Sequence, residues 1–252
     1  MPPNFEEYVG NLQLKELLHK LGSPNPNTLA NTVRHFTIKE AERRDEIVTS
    51  YFGQSGIDRI VKTVADHLLE EQPLSSNAKI LDIGAGTGFF TARIAKRIHA
   101  RKPKASFYAM DLTPAMLLSL AKKNVGITPF VGIAENIKGS TEYAGEYFKI
   151  PLSFDAIFST LMLHHSTEPE RVFGSIKAAL KKNGEAIVVD LCEHAFEEFK
   201  TEMGDVHLGF KPEKVHEMAR KHFSDVKVEK MPGISCECSG RVAEIFVAYM
   251  RN

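Results

Sequence analysis

The 252-residue chain has no tryptophan, only three cysteines and no net charge. The cysteines are Cys192, Cys236 and Cys238, too few and too odd in number for a disulfide scaffold. Such thiol usage fits a reducing compartment, so a cytoplasmic protein is expected. Lysine and arginine number 32, equal to aspartate and glutamate at 32. Without a basic excess there is no long-range field to gather a polyanion, and no nucleic acid is expected as a partner. Apolar runs fall short of the roughly 20 residues that cross a bilayer. The start, Met1-Pro2-Pro3-Asn4-Phe5-Glu6-Glu7, lacks the basic and apolar regions of a secretory signal. No membrane partner is therefore expected.

What is present is a globular balance of 43% hydrophobic and 25% charged residues, enough to fill one sizeable core. From residue 79 onward, strand-like and helical stretches alternate. Lys79–Ile83, Ser106–Met110, a short strand at Phe130-Val131, Asp155–Ser159 and Gly184–Leu191 read as strands. Gly88–Ala100, Pro114–Asn124 and Glu168–Leu180 read as the helices between them. Such alternation predicts βαβ units around a mostly parallel sheet covered on both faces. The tail breaks the rhythm: Lys211–His222 is helical, and Val226–Lys230 and Val242–Met250 read as strands joined by Met231–Arg241. That short connection predicts an antiparallel pair. The fold class is α/β, Rossmann-like, with seven strands, an antiparallel C-terminal strand and an N-terminal helical cover. Residues 1–75, with helical stretches at Leu12–Leu21, Ile38–Phe52 and Ile57–Glu71, form the cover or lid, and 76–252 the α/β domain. Phe36, Tyr51 and Phe52 are candidates to line that lid.

The strongest chemical signal is Ile80-Leu81-Asp82-Ile83-Gly84-Ala85-Gly86-Thr87-Gly88-Phe89-Phe90. A strand ends, a glycine turn follows, and a helix opens at once. Glycines let the backbone approach a ligand, and in open parallel sheets ligands bind at the carboxyl ends of the strands. Phe89 stands where a dinucleotide fingerprint needs its third glycine. Asp82, two residues before the first glycine, suits an ammonium group better than a pyrophosphate. Asp111, closing Tyr108-Ala109-Met110-Asp111, is placed to accept both hydroxyls of a ribose.

Taken with Gly132–Ile137, Phe154–His165 and Leu180–Asp190, these segments resemble the successive motifs of class I S-adenosylmethionine-dependent methyltransferases over about residues 79–192. Phe154-Asp155-Ala156-Ile157-Phe158-Ser159-Thr160-Leu161-Met162-Leu163-His164-His165 is similar to the group that includes ubiquinone and menaquinone biosynthesis enzymes. Glu193–Phe210 resembles methyltransferase domains associated with arsenical-repressor-type regulators. The resemblance implies S-adenosyl-L-methionine as cofactor. It places Asp82, Gly84, Ala85, Gly86 and Gly88 around the methionine portion and Asp111 on the ribose. It sets Leu112 and Met116 against the adenine, with Ala134 and Glu135 at the adenine edge. Relatives often carry aspartate where this chain has Ile133. Ser159 and Thr160 are implied to border the sulfonium.

Methyl transfer needs a general base only when the acceptor starts protonated. His164 and His165 after the fourth strand, and His194 and His207 after the fifth, are the candidates. A histidine at such a place also serves simply to cap a loop, and both roles stand open. No residue is assigned to a metal: Cys236-x-Cys238, with Cys192, offers sulfurs for a soft ion, but a structural zinc site usually needs four ligands and no paired cluster exists. The expected acceptor is a small molecule held between residues 1–55 and 193–210, with the chain a monomer or homodimer. Two other readings stay open: a metalloid methyltransferase, which needs Cys192, Cys236 and Cys238 to converge, and an idle adenosylmethionine-binding regulatory module. A nicotinamide-dependent dehydrogenase is disfavoured by the glycine spacing.

Overall fold

Seven strands make one sheet in the order β3-β2-β1-β4-β5-β7-β6. The computed structural model describes residues 4–23, 29, 33, 38–70 and 74–251. The strands are β1 (Lys79–Ile83), β2 (Ser106–Asp111), β3 (Ile127–Val131), β4 (Phe154–Thr160), β5 (Leu180–Leu191), β6 (Asp225–Cys238) and β7 (Arg241–Arg251). Strands β1 to β5 pair in parallel, and β7 runs antiparallel to both β5 and β6. The chain order reverses between β1 and β4, so a cleft opens above their carboxyl ends.

Alternate residues of the central strands serve different cores. Ile80, Ile187, Val189 and Ile245 pack to one side, and Leu81, Ile83, Val188 and Phe246 to the other. Helix α4 (Phe89–His99) covers the first side with Phe90, Ile94 and Ile98 at helical spacing. Helix α7 (Pro169–Ala179) covers the second with Val172, Phe173 and Ile176. Helix α5 (Pro114–Lys122) starts with proline at its first turn, where no amide partner is lost.

The amino-terminal helices are α1 (Phe5–Gly10), α2 (Leu14–Lys20) and α3 (Ile38–Glu70). Phe5, Tyr8, Leu17 and Leu18 pack on Leu117 and Leu120 of α5 and on Val131. Helix α3 is broken at Gly53, whose φ of 59° and ψ of 167° are not helical. Behind the break, Ile57, Ile60, Val64 and Leu68 belong to the main core. Ahead of it, Val48 and Phe52 join the same core, with Tyr51 packed against it, and only the leading turn, where Ala41 rests on Met116 of α5, stands apart. Phe36 lies outside the described residues. Helix α6 (Ile137–Gly145), the short α8 (Glu198–Glu202) and α9 (Pro212–Arg220) lie further along the chain.

The tail differs from expectation in one respect. Strand β6 runs on to Cys238, with a register shift between Lys230 and Ser235, and only Ser239 and Gly240 connect it to β7. Both have positive φ, 49° and 70°, the primed-turn geometry whose twist suits a two-residue hairpin. Pro232 and Gly233 lie within that register shift, where a missing ladder donor is tolerated.

Candidate active site

The glycine loop sits where β1 gives way to α4. Gly84 N and Ala85 N both donate to Met110 O, at 2.8 and 3.1 Å, which ties the loop to the end of β2. At Gly84, φ is +71° and a side chain would meet Met162 Cγ at 2.1 Å, so packing alone demands glycine there. Gly86 differs: its φ is +54°, but a side chain would find open space. That space is a cavity of about 750 Å³, counted with its opening to solvent. Asp111 stands beside it. One carboxylate oxygen accepts from Gly86 N at 2.7 Å and the other from Thr113 N at 2.8 Å. Burial raises the Asp111 carboxyl above its ordinary range, against the pull of those amide donors.

Of the residues expected to meet a cofactor, Gly84, Gly86, Asp111, Leu112, Met116, Ala134 and Glu135 line this cavity. Glu135 is buried and accepts from Ser166 Oγ at 2.7 Å. Asp82 lies beneath the loop, fully buried, with Thr91 Oγ1 donating to one carboxylate oxygen at 2.6 Å and the other oxygen without a partner. Burial drives its carboxyl well above the usual range, and Asp111 nearby adds repulsion. Asp82 is absent from the cavity wall. Gly88 is absent from the wall and packs under Leu120 instead. Ala85 also stays out of the wall, its amide spent on Met110. Ser159 donates to Ile83 O at 3.0 Å and is buried with Thr160 inside the sheet edge, so neither borders the cavity.

Of the far wall, the sequence points to His165 but not to Leu29, Arg44 or Ser166. That wall is made by Leu161, Met162, His165, Ser166, Leu29 and Arg44. Leu161 ends β4 in the left-handed region, at φ 59°, a conformation that costs a branched residue about 1–2 kcal/mol. Arg44 comes from α3, where a charged residue reads as a solvated helix face. Its guanidinium is near enough to Asp205 and Asp111 to feel both carboxylates, while burial holds its pKa below the ordinary value.

The four histidines separate. His165 lines the cavity, with its Nδ1 donating to Gly204 O at 3.1 Å. His164 is buried directly behind, its Nδ1 2.6 Å from Asp190 Oδ1 and its Nε2 3.5 Å from Asp205 Oδ1. Burial by itself would lower the His164 pKa, but Asp190, and then Asp205, raise it above the ordinary value. Asp205 is pushed up to about 6 by burial, against the pull of His164.

His194 and His207 line a separate concavity with Lys211 and Lys214. Residues 193–210 therefore contribute nothing to the wall of the main cavity among the described residues. The reason is local: Glu193 N bonds Phe210 O and His194 N bonds Leu208 O, both at 3.0 Å, folding the segment back on itself. The thiols also fail to converge. Cys192 faces one core and Cys236 and Cys238 the other, so the sheet stands between them.

Among the described residues no helix is long and apolar enough to cross a membrane. A family model described as a methyltransferase domain matches residues 74–222. The mitochondrial ubiquinone biosynthesis O-methyltransferase of Schizosaccharomyces pombe is 28% identical over 160 residues, 60% of this chain and 54% of that protein. A malonyl-[acyl-carrier protein] O-methyltransferase of Anoxybacillus flavithermus is 25% identical over 54% of this chain and 47% of its own. The chain thus spans about half the length of these two relatives. Among solved structures, phosphoethanolamine N-methyltransferase 2 of Haemonchus contortus, in complex with phosphomonomethylethanolamine and S-adenosylhomocysteine, superposes with a TM-score of 0.62 at 17% identity, over 96% of this chain and 61% of that one. Likeness at that identity is likeness of fold.

Proposed function

The chain belongs to the methyltransferase-domain family, whose methyl donor is S-adenosylmethionine, and on that premise we propose that it methylates a small organic acceptor. The observation that carries the proposal is the pairing of Gly86 and Asp111 at a cavity that continues past them to Arg44 and His165. The donor half of the cavity matches an adenosine. Asp111 keeps lone pairs for the ribose hydroxyls, and Leu112, Met116 and Ile133 offer flat apolar contact for the adenine. The unpartnered oxygen of Asp82 and the open space at Gly86 fit the ammonium end.

When bound, the donor supplies an activated methyl group: the acceptor's lone pair forms the new bond to carbon, the carbon–sulfur bond breaks, and the sulfonium becomes a neutral thioether. The protein's part is to align the two and keep water out. Leu161 and Met162 bring apolar surface to the acceptor side, Arg44 supplies a positive charge there, and His165 presents a ring nitrogen to the cavity. His165 is the histidine placed to take a proton from an acceptor. His194 and His207, lining another concavity, are assigned no catalytic part.

The leading turns of α3, with Ala41 and Arg44, act as the lid in this reading, and the stretch from Val48 onward, including Tyr51 and Phe52, as core. Balanced charge supports a small molecule over a nucleic acid, and few thiols support a cytoplasmic setting, as monomer or homodimer. Calorimetric titration with S-adenosylmethionine and S-adenosylhomocysteine tests the reading, followed by an acceptor screen that reads S-adenosylhomocysteine formation. Micromolar binding and turnover with a small acceptor are expected. Absence of donor binding by ligand-stripped protein would overturn the reading, and tight binding without turnover across the screen would favour a regulatory module.

A further inference from the structure

Behind the cavity wall, three buried polar atoms have no hydrogen-bond partner: His164 Nε2 and both carboxylate oxygens of Asp205. His164 is 1% exposed and Asp205 6%. Leaving such groups unsatisfied is costly, and few occur in a folded protein without a reason. They face one another. His164 Nε2 and Asp205 Oδ1 stand 3.5 Å apart, too far for the charge-assisted hydrogen bond of about 2.7–2.9 Å that two such groups form when free to approach. That separation matches the ligand-to-ligand edge of a tetrahedral ion, about 3.4 Å for bonds near 2.1 Å.

The neighbouring groups have the arrangement that ligating histidines need. Asp190 carries no N–H, so the 2.6 Å contact fixes the proton of a neutral His164 ring on Nδ1 and its lone pair on Nε2. Gly204 O does the same for His165, which then also carries its lone pair on Nε2. A second group holding the far nitrogen of a histidine is the usual support of a metal-bound imidazole. Donor atoms from His164, His165 and Asp205 all lie within 4.8 Å of one another.

We propose that His164, His165 and Asp205 bind one divalent transition-metal ion at the acceptor side of the cavity. Two imidazoles and one carboxylate suit zinc, iron or manganese better than magnesium or calcium. Three protein donors leave a coordination position open, the mark of a working rather than a structural site. Because His165 also lines the cavity, the ion stands at its wall, where an acceptor hydroxyl or thiol can bind it and ionise more readily. With Nε2 on the ion, the proton leaves to solvent and His165 acts as a ligand instead of the base. Asp190 and Asp205 together offset the ion's charge beside Arg44. The sequence hides this site: one ligand lies 41 and 40 residues from the other two, between His164, His165 and Asp205.

The metal-binding proposal stands apart from methyl transfer, but the ion's role toward the acceptor rests on that reading. Chelator-dialysed full-length protein is titrated with Zn²⁺ against a chromogenic chelator, and with S-adenosylhomocysteine by calorimetry in the metal-free state. One equivalent of Zn²⁺ is expected to bind, with affinity lost at least about tenfold in Asp205→Asn and His165→Gln. His216→Gln, an exposed histidine elsewhere, is expected to bind as the wild type does. Circular dichroism of each variant confirms that it folds, and His165→Gln, at the half-buried position, remains informative if Asp205→Asn does not. No stoichiometric Zn²⁺, or equal affinity in the folded variants and wild type, overturns the site. S-adenosylhomocysteine binding without Zn²⁺ binding overturns the site alone, and Zn²⁺ binding without it upholds the site while the donor reading fails.

Discussion

Asp45 of helix α3 reaches across to Thr87 of the glycine loop, where Thr87 Oγ1 donates to its Oδ1 at 2.5 Å. Lys123, just beyond α5, completes the clasp by donating to Asp45 Oδ2 at 2.6 Å and to Thr87 O at 2.9 Å. Three elements that are distant in sequence thus meet beside Gly86 and Arg44 of the cavity wall, and the segment carrying Arg44 is tied to the glycine loop.

Asp45→Ala opens that clasp. The groups are partly exposed, at 27% and 37% for Lys123 and Asp45, so the cost in global stability is expected to stay below about 1 kcal/mol. The dissociation rate of S-adenosylhomocysteine is expected to rise several-fold, as measured by stopped-flow displacement. An unchanged rate would mean that the segment ahead of Gly53 does not gate the donor.

Asp111→Ala removes the carboxylate that holds Gly86 N and Thr113 N and to which the proposed reading assigns the ribose. A loss of donor affinity of about 10- to 100-fold is expected, the worth of one or two hydrogen bonds to a charged group. Calorimetry decides it, and wild-type affinity would remove Asp111 from the donor site.

Gly84→Ala and Gly86→Ala separate packing from binding. The first drives a methyl group into Met162 at 2.1 Å and is expected to cost about 2–3 kcal/mol of stability. The second meets open space, so strain at its positive φ limits the cost to about 1–2 kcal/mol, while donor binding falls sharply. Thermal denaturation and calorimetry on both proteins should give opposite rankings for the two losses. The same ranking in both assays would contradict the assignment.

Alkylation by iodoacetamide tests the thiols. Burial lifts Cys192 and Cys238 to about 11 and raises Cys236 further. A raised thiol pKa postpones the reactive thiolate to higher pH. The native protein is therefore expected to resist modification at pH 8, and all three thiols to react once it is denatured, by intact-mass analysis. Rapid native labelling would show the thiols to be accessible, and would reopen a role for them toward soft ions.

How much of this was written in the chain depends on the range of the interaction. The parallel sheet follows from alternating local patterns, and the glycine loop from contiguous residues. Asp111 was found because it ends a strand at a predictable spacing. Arg44, Ser166 and the Asp190–His164–Asp205 group were not, since their meaning arises only when separate elements meet. Conversely, Gly88, Ser159 and Thr160 sit in the expected motifs, yet their own side-chain or backbone packing turns them away from the cavity. Residues 231–238 read as a connection because proline and glycine usually end strands. Here an irregular stretch absorbs both and the pairing resumes.

The break at Gly53 divides one helix between two kinds of constraint. Substitutions behind it disturb a core shared by most of the sheet, so that half can change little. Ahead of it, Val48 and Phe52 still belong to that core, and only the leading turns around Ala41 and Arg44 can change what covers the cavity while leaving the strands undisturbed. On the proposed reading, a lineage exchanges acceptors by rewriting those few leading turns, keeping an unaltered donor half for a succession of different chemistries.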